Sequence, residues 1–378
     1  MSQKTRFVAL VAASALALSM GACTSTPASP GSAPAGSGSA AALKDCNVGI
    51  TMPTRSLERW INDGEQLQKK LKDAGCTVDL QYADNKVDQQ ISQIQNQIAG
   101  GSKILVIAAV DGTALGPVLQ EAAKQSAKVI AYDRLINGSP NVDYYATFDN
   151  YKVGQLQGNF LKDQLKLDSA KDPINFEPFA GSPDDNNAKF FFSGAWDVLL
   201  PYVQKGTLKV ISGKSPKSND EWASIGIQSW LSDKSQAEMD NRLSSFYTGG
   251  KKVQAVLSPN DSLAIGIEAS LKAAGYKVGT DWPLITGQDG DKANVKAILA
   301  GEQSMTVWKD TRKLGERVFT MIQQISKGEK VEVNDEKSYN NGVKVVPSYL
   351  LEPEVVVKDT VQSKLIDSGF LKASDVGL

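Results

Sequence analysis

Short apolar runs alternate with helical patterns along almost the whole chain, and this rhythm restricts the fold more than any other feature. NVGITM (47–52), VDLQYA (78–83), KILVIAAV (103–110) and KVIAYD (128–133) have the length and β-branched content of strands. Helix patterns separate them. Residues 57–74 carry Trp60, Leu67 and Leu71 inward and stop at Gly75. In the next, Val87, Ile91, Ile94 and Ile98 share one face before Gly100-Gly101. A third contains Leu115, Val118, Leu119 and Ala122. Near-continuous apolar runs suit strands buried on both faces, so four such units predict a parallel sheet covered by helices on both sides. A second series follows residue 150: INFEPFAG (174–181), LKVISG (208–213), VQAVLS (253–258), LITGQD (284–289) and MTVWKD (305–310), each trailed by a helix pattern, then an extended tail, VPSYLLEPEVVV (346–357). That is too many strands for one small doubly wound sheet, and two similar α/β lobes are predicted.

Polar residues end nearly every run. Thr54-Arg55 and Glu58-Arg59-Trp60 follow the first, Asp84 the second, Asp111 the third and Asp133-Arg134 the fourth. In the second series the tips carry GSPDDNN (181–187), Asn260-Asp261, Gln288-Asp289 and Trp308-Lys309. Asp84, Asp111, Asp261 and Asp291 each suit a helix N-cap. As a set, though, these groups lie where open parallel sheets bind ligands, outside the carboxyl ends of the strands. Carboxylates, carboxamides, Arg and Lys, with Trp60, Trp222 and Trp308 nearby in sequence, fit a sugar. Its hydroxyls each donate and accept, and its C–H face lies against an aromatic ring.

Composition narrows the classes. Net charge is −1, which gives no basic excess for nucleic acid or anionic membrane. Histidine is absent, so the commonest general base and metal ligand is missing. No cofactor loop is present, since GSPDDNNA is not a glycine-rich phosphate motif, and no metal site is expected. Lys4, Arg6 and the apolar stretch from Phe7 to Met20 read as a signal segment over 1–22, and Met20-Gly21-Ala22-Cys23 resembles a lipobox with Cys23 as the lipidated residue. Residues 24–42 are nearly all Ser, Thr, Ala, Gly and Pro, a flexible tether. Lipid, tether and globular body predict an extracytoplasmic, membrane-anchored protein. Export permits a disulfide. If the first two strands are neighbours, Cys46 and Cys76 lie at one sheet edge at bridging distance.

The motifs VGITMPTRSLERW, VDLQYADN, ILVIAAVDGT, KVIAYDRLI, YYATFDNYKVGQLQ, GSPDDNNA, VLSPNDSLAIG, GQDGD, MTVWKDT and NGVKVVPSYLL, in this order over residues 47 to about 352, resemble the type I periplasmic binding proteins of ABC sugar importers, above all the multiple-sugar-binding (ChvE-type) and xylose-binding receptors. The resemblance implies two Rossmann-like lobes with parallel sheets joined by a three-segment hinge. The expected division is residues 44–150 with 290–335 in the first lobe and 151–289 with 336–378 in the second. It implies sugar contacts at Arg59, Asp133, Arg134, Asn187, Trp222, Asn260, Asp289 and Lys309, with Arg55, Trp60 and Asp111 as weaker candidates. Phe191 stands where some galactose-binding relatives carry an arginine. The partners implied are a monosaccharide of the xylose, arabinose, glucose or galactose type and an ABC permease, with the chain acting as a monomer. Two rival readings remain: a sensor presenting bound sugar to a membrane signalling partner, and a secreted carbohydrate-active enzyme using Asp133, Asp184, Asp185 or Asp289 as acid and base.

Overall fold

The computed structural model describes residue 43 and residues 46–378; Cys23, the signal segment and the tether up to residue 42 lie outside the described residues. The strands are β1 (Asn47–Met52), β2 (Thr77–Tyr82), β3 (Ile104–Ile107), β4 (Lys128–Tyr132), β5 (Tyr144–Phe148), β6 (Ile174–Pro178), β7 (Leu208–Lys209), β8 (Ala255–Leu257), β9 (Leu284–Ile285), β10 (Gln288–Asp289), β11 (Thr306–Trp308), β12 (Ser348–Leu351) and β13 (Glu354–Val356). The helices are α1 (Glu58–Asp73), α2 (Val87–Ala99), α3 (Gly116–Lys124), α4 (Asn150–Gln164), α5 (Asn186–Gln204), α6 (Ser232–Phe246), α7 (Asp261–Ala273), α8 (Lys292–Ala300), α9 (Thr311–Ser326) and α10 (Ala373–Val376).

The first lobe is built on a six-stranded sheet in the order β12-β5-β4-β3-β1-β2, parallel throughout. Its apolar runs are explained by the two-residue period of a strand, which sends alternate side chains to opposite faces. Val106, Ile130 and Tyr132 pack on one face with Leu67 and Leu71 of α1 and Leu314 and Val318 of α9. Leu105, Ile107, Val129 and Ala131 pack on the other with Ile94 of α2 and Val118 and Leu119 of α3. The second lobe holds the parallel sheet β7-β6-β8-β9 and a three-stranded sheet β10-β11-β13, in which β13 is antiparallel. Its two long helices, α4 and α5, touch backbone to backbone. A Cβ on Gly154 would stand 1.9 Å from the Phe191 carbonyl oxygen, and one on Gly194 would stand 2.0 Å from that of Tyr151.

The sheets divide the chain differently from the expected boundaries at two places. Strand β11, within 290–310, pairs with β10 in the second lobe, because Met305 and Val307 fill that lobe's core. Strand β12, within 336–351, pairs with β5 in the first, where Tyr349 and Leu351 pack on one face and Leu350 on the other. The tail is therefore shared between lobes. The chain crosses after β5 at Asp149, after β11 at Lys309-Asp310, and between β12 and β13 at Glu352-Pro353. Strand β5 itself is absent from the sequence-based strand series; its YYATF carries Thr and two tyrosines whose hydroxyls blur the apolar pattern.

Cys46 and Cys76 are joined by a disulfide, Cα atoms 4.7 Å apart, at the amino ends of β1 and β2. Closing a loop with a sequence separation of 30 should contribute about 3–4 kcal/mol by restricting the unfolded chain. Reduction, or Cys46→Ser with Cys76→Ser, should lower the urea midpoint accordingly; an unchanged midpoint would refute that contribution.

Candidate functional site

The carboxyl ends of the strands in both lobes face one cavity. From the first lobe, the start of α1 supplies Leu57, Arg59 and Trp60, and the turn after β4 supplies Asp133 and Arg134. From the second, the β6–α5 turn supplies Asp185, Asn187 and Phe191, and later segments supply Trp230, Asn260, Gln288 and Asp289. Lys309 sits on a crossing segment. Asp133 is placed there by strained backbone, φ +60°, in the left-handed region that non-glycine residues rarely adopt. Three donors converge on its carbonyl oxygen and hold the turn: Tyr145 Oη at 2.7 Å, Thr147 Oγ1 at 3.0 Å and Asn187 Nδ2 at 2.6 Å.

Charge organises the cavity around Arg59. Its Nη2 donates to Asp133 Oδ1 (2.9 Å) and Asp63 Oδ2 (3.0 Å), and its Nη1 donates across to Asp289 Oδ1 (3.3 Å) in the other lobe. Lys309 Nζ lies 2.8 Å from the same Asp289 oxygen. Arg134 Nε lies 3.1 Å from Asp185 Oδ2, a contact of charge without hydrogen-bond alignment, while its Nη1 donates to the Ala109 carbonyl. Both guanidinium groups stand over the Trp60 ring, Arg59 at 4.4 Å and Arg134 at 5.1 Å. Burial raises the Asp133 carboxyl, but Arg59, Lys309 and Arg134 outweigh it and hold it below its ordinary value. Burial wins at Asp185, which is pushed up although Arg134 and the Asn187 N–H oppose it.

Arg59, Trp60, Asp133, Arg134, Asn187, Asn260, Asp289 and Lys309, expected from the sequence, come together here. Three expected residues do not. Trp222 lies in a short 3₁₀ turn, partly buried against two core clusters of the second lobe and outside the cavity lining. Asp111 accepts from the Thr113 N–H and hydroxyl, both 2.7 Å, and so serves its own turn. Arg55 is exposed and stacks on Tyr82, 4.0 Å from the ring centre. The second-lobe tryptophan in the cavity is Trp230. Ser229 and Trp230 both have positive φ, which turns the indole inward onto Gly181, and its Nε1 donates to Asp185 Oδ2 at 3.2 Å. Gly181, where a Cβ would stand 2.0 Å from that ring, is the one sequence signal for this contact. Asp185 was visible only as one of two adjacent carboxylates; it caps α5 through the Asn187 N–H while its other oxygen faces the cavity. Gln288, beside Asp289 at the same strand tip, also lines the cavity.

A roomier depression lies between α6 and α7 on the outer face of the second lobe, but its Tyr247 and Tyr276 hydroxyls are already engaged by Glu177 and the Val253 N–H. Among the described residues no helix is long and apolar enough to cross a membrane.

Residues 48–330 match the family described as periplasmic binding protein domain. The chain is 50% identical over 330 residues to the multiple sugar-binding periplasmic receptor ChvE of Rhizobium radiobacter, covering 87% of this chain and 92% of that one. It is 36% identical over 339 residues to the D-xylose-binding periplasmic protein of Escherichia coli, covering 89% and 94%. The structure superposes with a TM-score of 0.83 and 49% identity on an ABC transporter solute-binding protein from Clostridium phytofermentans with bound β-D-glucose, covering 87% of this chain and 99% of that one.

Asp261 fixes the second lobe's contribution. This buried carboxylate accepts from the Gly290 and Asp291 N–H groups (both 3.0 Å), Thr306 Oγ1 (3.1 Å) and Gln303 Nε2 (2.8 Å). It thereby clamps Asp289, whose φ is +105°. Asp291, next along, is pushed up to about 7 by burial and by Asp289, with Arg59 and Lys309 acting the other way. Its neutral form is favoured in the folded state. The stability it contributes is therefore fully present below about pH 4 and is lost as the pH rises through about 7. Asp291 is only partly buried, which discounts the full shift. Asp291→Asn should match the parent near pH 4 and exceed it by about 1–2 kcal/mol near pH 8 in urea denaturation; parallel pH profiles would contradict this.

Proposed function

The chain belongs to the periplasmic binding protein domain family, and we propose that it is the extracytoplasmic sugar receptor of an ABC importer, capturing one monosaccharide between its lobes and handing it to the permease. Lipid on Cys23 and the tether hold it at the membrane as a monomer. One observation carries the reading: charged and amide side chains from both lobes line one cavity, and Arg59 Nε, Trp60 Nε1 and Gln288 Oε1 of that lining have no hydrogen-bond partner within the protein. Each unpaired buried group costs about 1–3 kcal/mol. A ligand with a hydroxyl on each carbon supplies acceptors and donors to all of them. Trp60, Trp230 and Phe191 give the apolar walls that sugar C–H faces need.

The contacts fall on both lobes. Arg59, Asp133 and Arg134 reach the sugar from the first; Asp185, Asn187, Asn260, Gln288 and Asp289 reach it from the second, with Lys309 at the crossing. A ligand bridging both sets favours the closed form, because only there are all contacts made. The hydrolase reading fares worse. Asp133 and Asp289 are each held by cations, which suits hydrogen-bond acceptance and not proton transfer.

Thermal-shift measurements on the mature protein with xylose, arabinose, glucose and galactose test this. At least one should raise the midpoint in proportion to the logarithm of sugar excess. Trp230→Ala and Arg134→Ala should abolish the rise, while Trp222→Ala should keep it. A flat response to all four sugars would overturn the proposal.

A further inference from the structure

Arg59 and Asp289 form a wall with cavities on both sides. Behind them, between α1 and the C-terminal segment, lies a second chamber of about 210 Å³. At roughly 30 Å³ per liquid water, it is sized for a molecular group and not for an ion. Arg59, Asn62 and Gln66 lie along one face of α1, and both amides are exposed. Opposite them are the Asp291 carboxyl, which sits at the N-cap of α8 without bonding its backbone, and the Phe370 ring, set edge-on to Trp308 at 5.3 Å. Two of the chamber's cations are engaged by neighbours, Lys292 by Glu58 and Arg312 by Asp310, while Asp375 and Lys372 also line it. What it offers is two amides, the Asp291 and Asp375 carboxyls, the Lys372 ammonium and an aromatic ring, a set of donors and acceptors suited to hydroxyls with a ring for a C–H face.

The wall is thin where it matters. The Arg59–Asp289 contact, 3.3 Å, is the longest of the three that Arg59 makes, against 2.9 and 3.0 Å to Asp133 and Asp63. It also joins one lobe to the other, so it parts whenever the lobes open. We infer that the chamber accepts the second ring of a short saccharide whose first ring occupies the cleft, so that the ligands extend beyond monosaccharides to disaccharides. This rests on the sugar-receptor reading and enlarges its substrate class.

Calorimetric titration of the mature protein with glucose, xylose, cellobiose, maltose, gentiobiose and xylobiose tests it, alongside Asn62→Trp and Gln66→Trp, which fill the chamber from its exposed side. The expected result is that at least one disaccharide binds the parent within about tenfold of its monosaccharide, a difference of about 1.4 kcal/mol. In the tryptophan variants that disaccharide should lose tenfold or more, with the monosaccharide unchanged. Monosaccharide binding without any disaccharide binding overturns the inference and leaves the receptor reading standing. So does disaccharide binding that both variants retain. Binding of none of these sugars overturns the receptor reading itself.

Discussion

The guanidinium of Arg59 is the junction on which the cleft depends. It holds Asp63 on its own helix, Asp133 at the tip of β4 and Asp289 in the opposite lobe. Planar, forked and always charged, it serves several carboxylates at fixed angles, which a lysine ammonium on a flexible stem does not. Around it, Arg134 and Lys309 face Asp185 and Asp289. Taking such charges from water costs several kcal/mol per ion, and an apolar core of equal volume is often as stable or more so. A cluster this costly, set between lobes and flanked by unpaired polar atoms, is explained by a ligand better than by stability.

The adjacent ions Asp133 and Arg134 illustrate how the parts cooperate. Asp133 uses its carboxylate on Arg59 and its carbonyl to receive donors from β5 and α5. Arg134 anchors one nitrogen on Ala109 and keeps Nε toward Asp185. Both line the cavity. On the far side, Asp261 performs the corresponding task for Asp289, so each lobe presents its groups on a prearranged turn.

Much of this was legible in the sequence because strand tips are legible. An apolar run that stops at a polar residue places that residue at the sheet's carboxyl edge, and Asp133, Arg134, Asn260, Asp289 and Lys309 were found that way. Arg59 was found through the motif at the start of α1. What stayed hidden depends on loop conformation. Trp222 and Trp230 stand in one irregular segment, and only the left-handed backbone at 229 and 230 decides which ring turns inward. The lobe of strand β12 is not legible locally, because its partner, β5, is distant in sequence and edge pairing leaves no local pattern. The same holds for β11, whose lobe is set by its pairing with β10.

Since both lobes meet at Arg59, the most direct measurement is calorimetric titration of the Arg59→Lys protein with the sugar that binds the parent best. The charge is kept and the fork is lost. The account predicts a loss of affinity of about a hundredfold, near 2.7 kcal/mol, with thermal unfolding of the unliganded protein still cooperative. Parental affinity in that variant would contradict it.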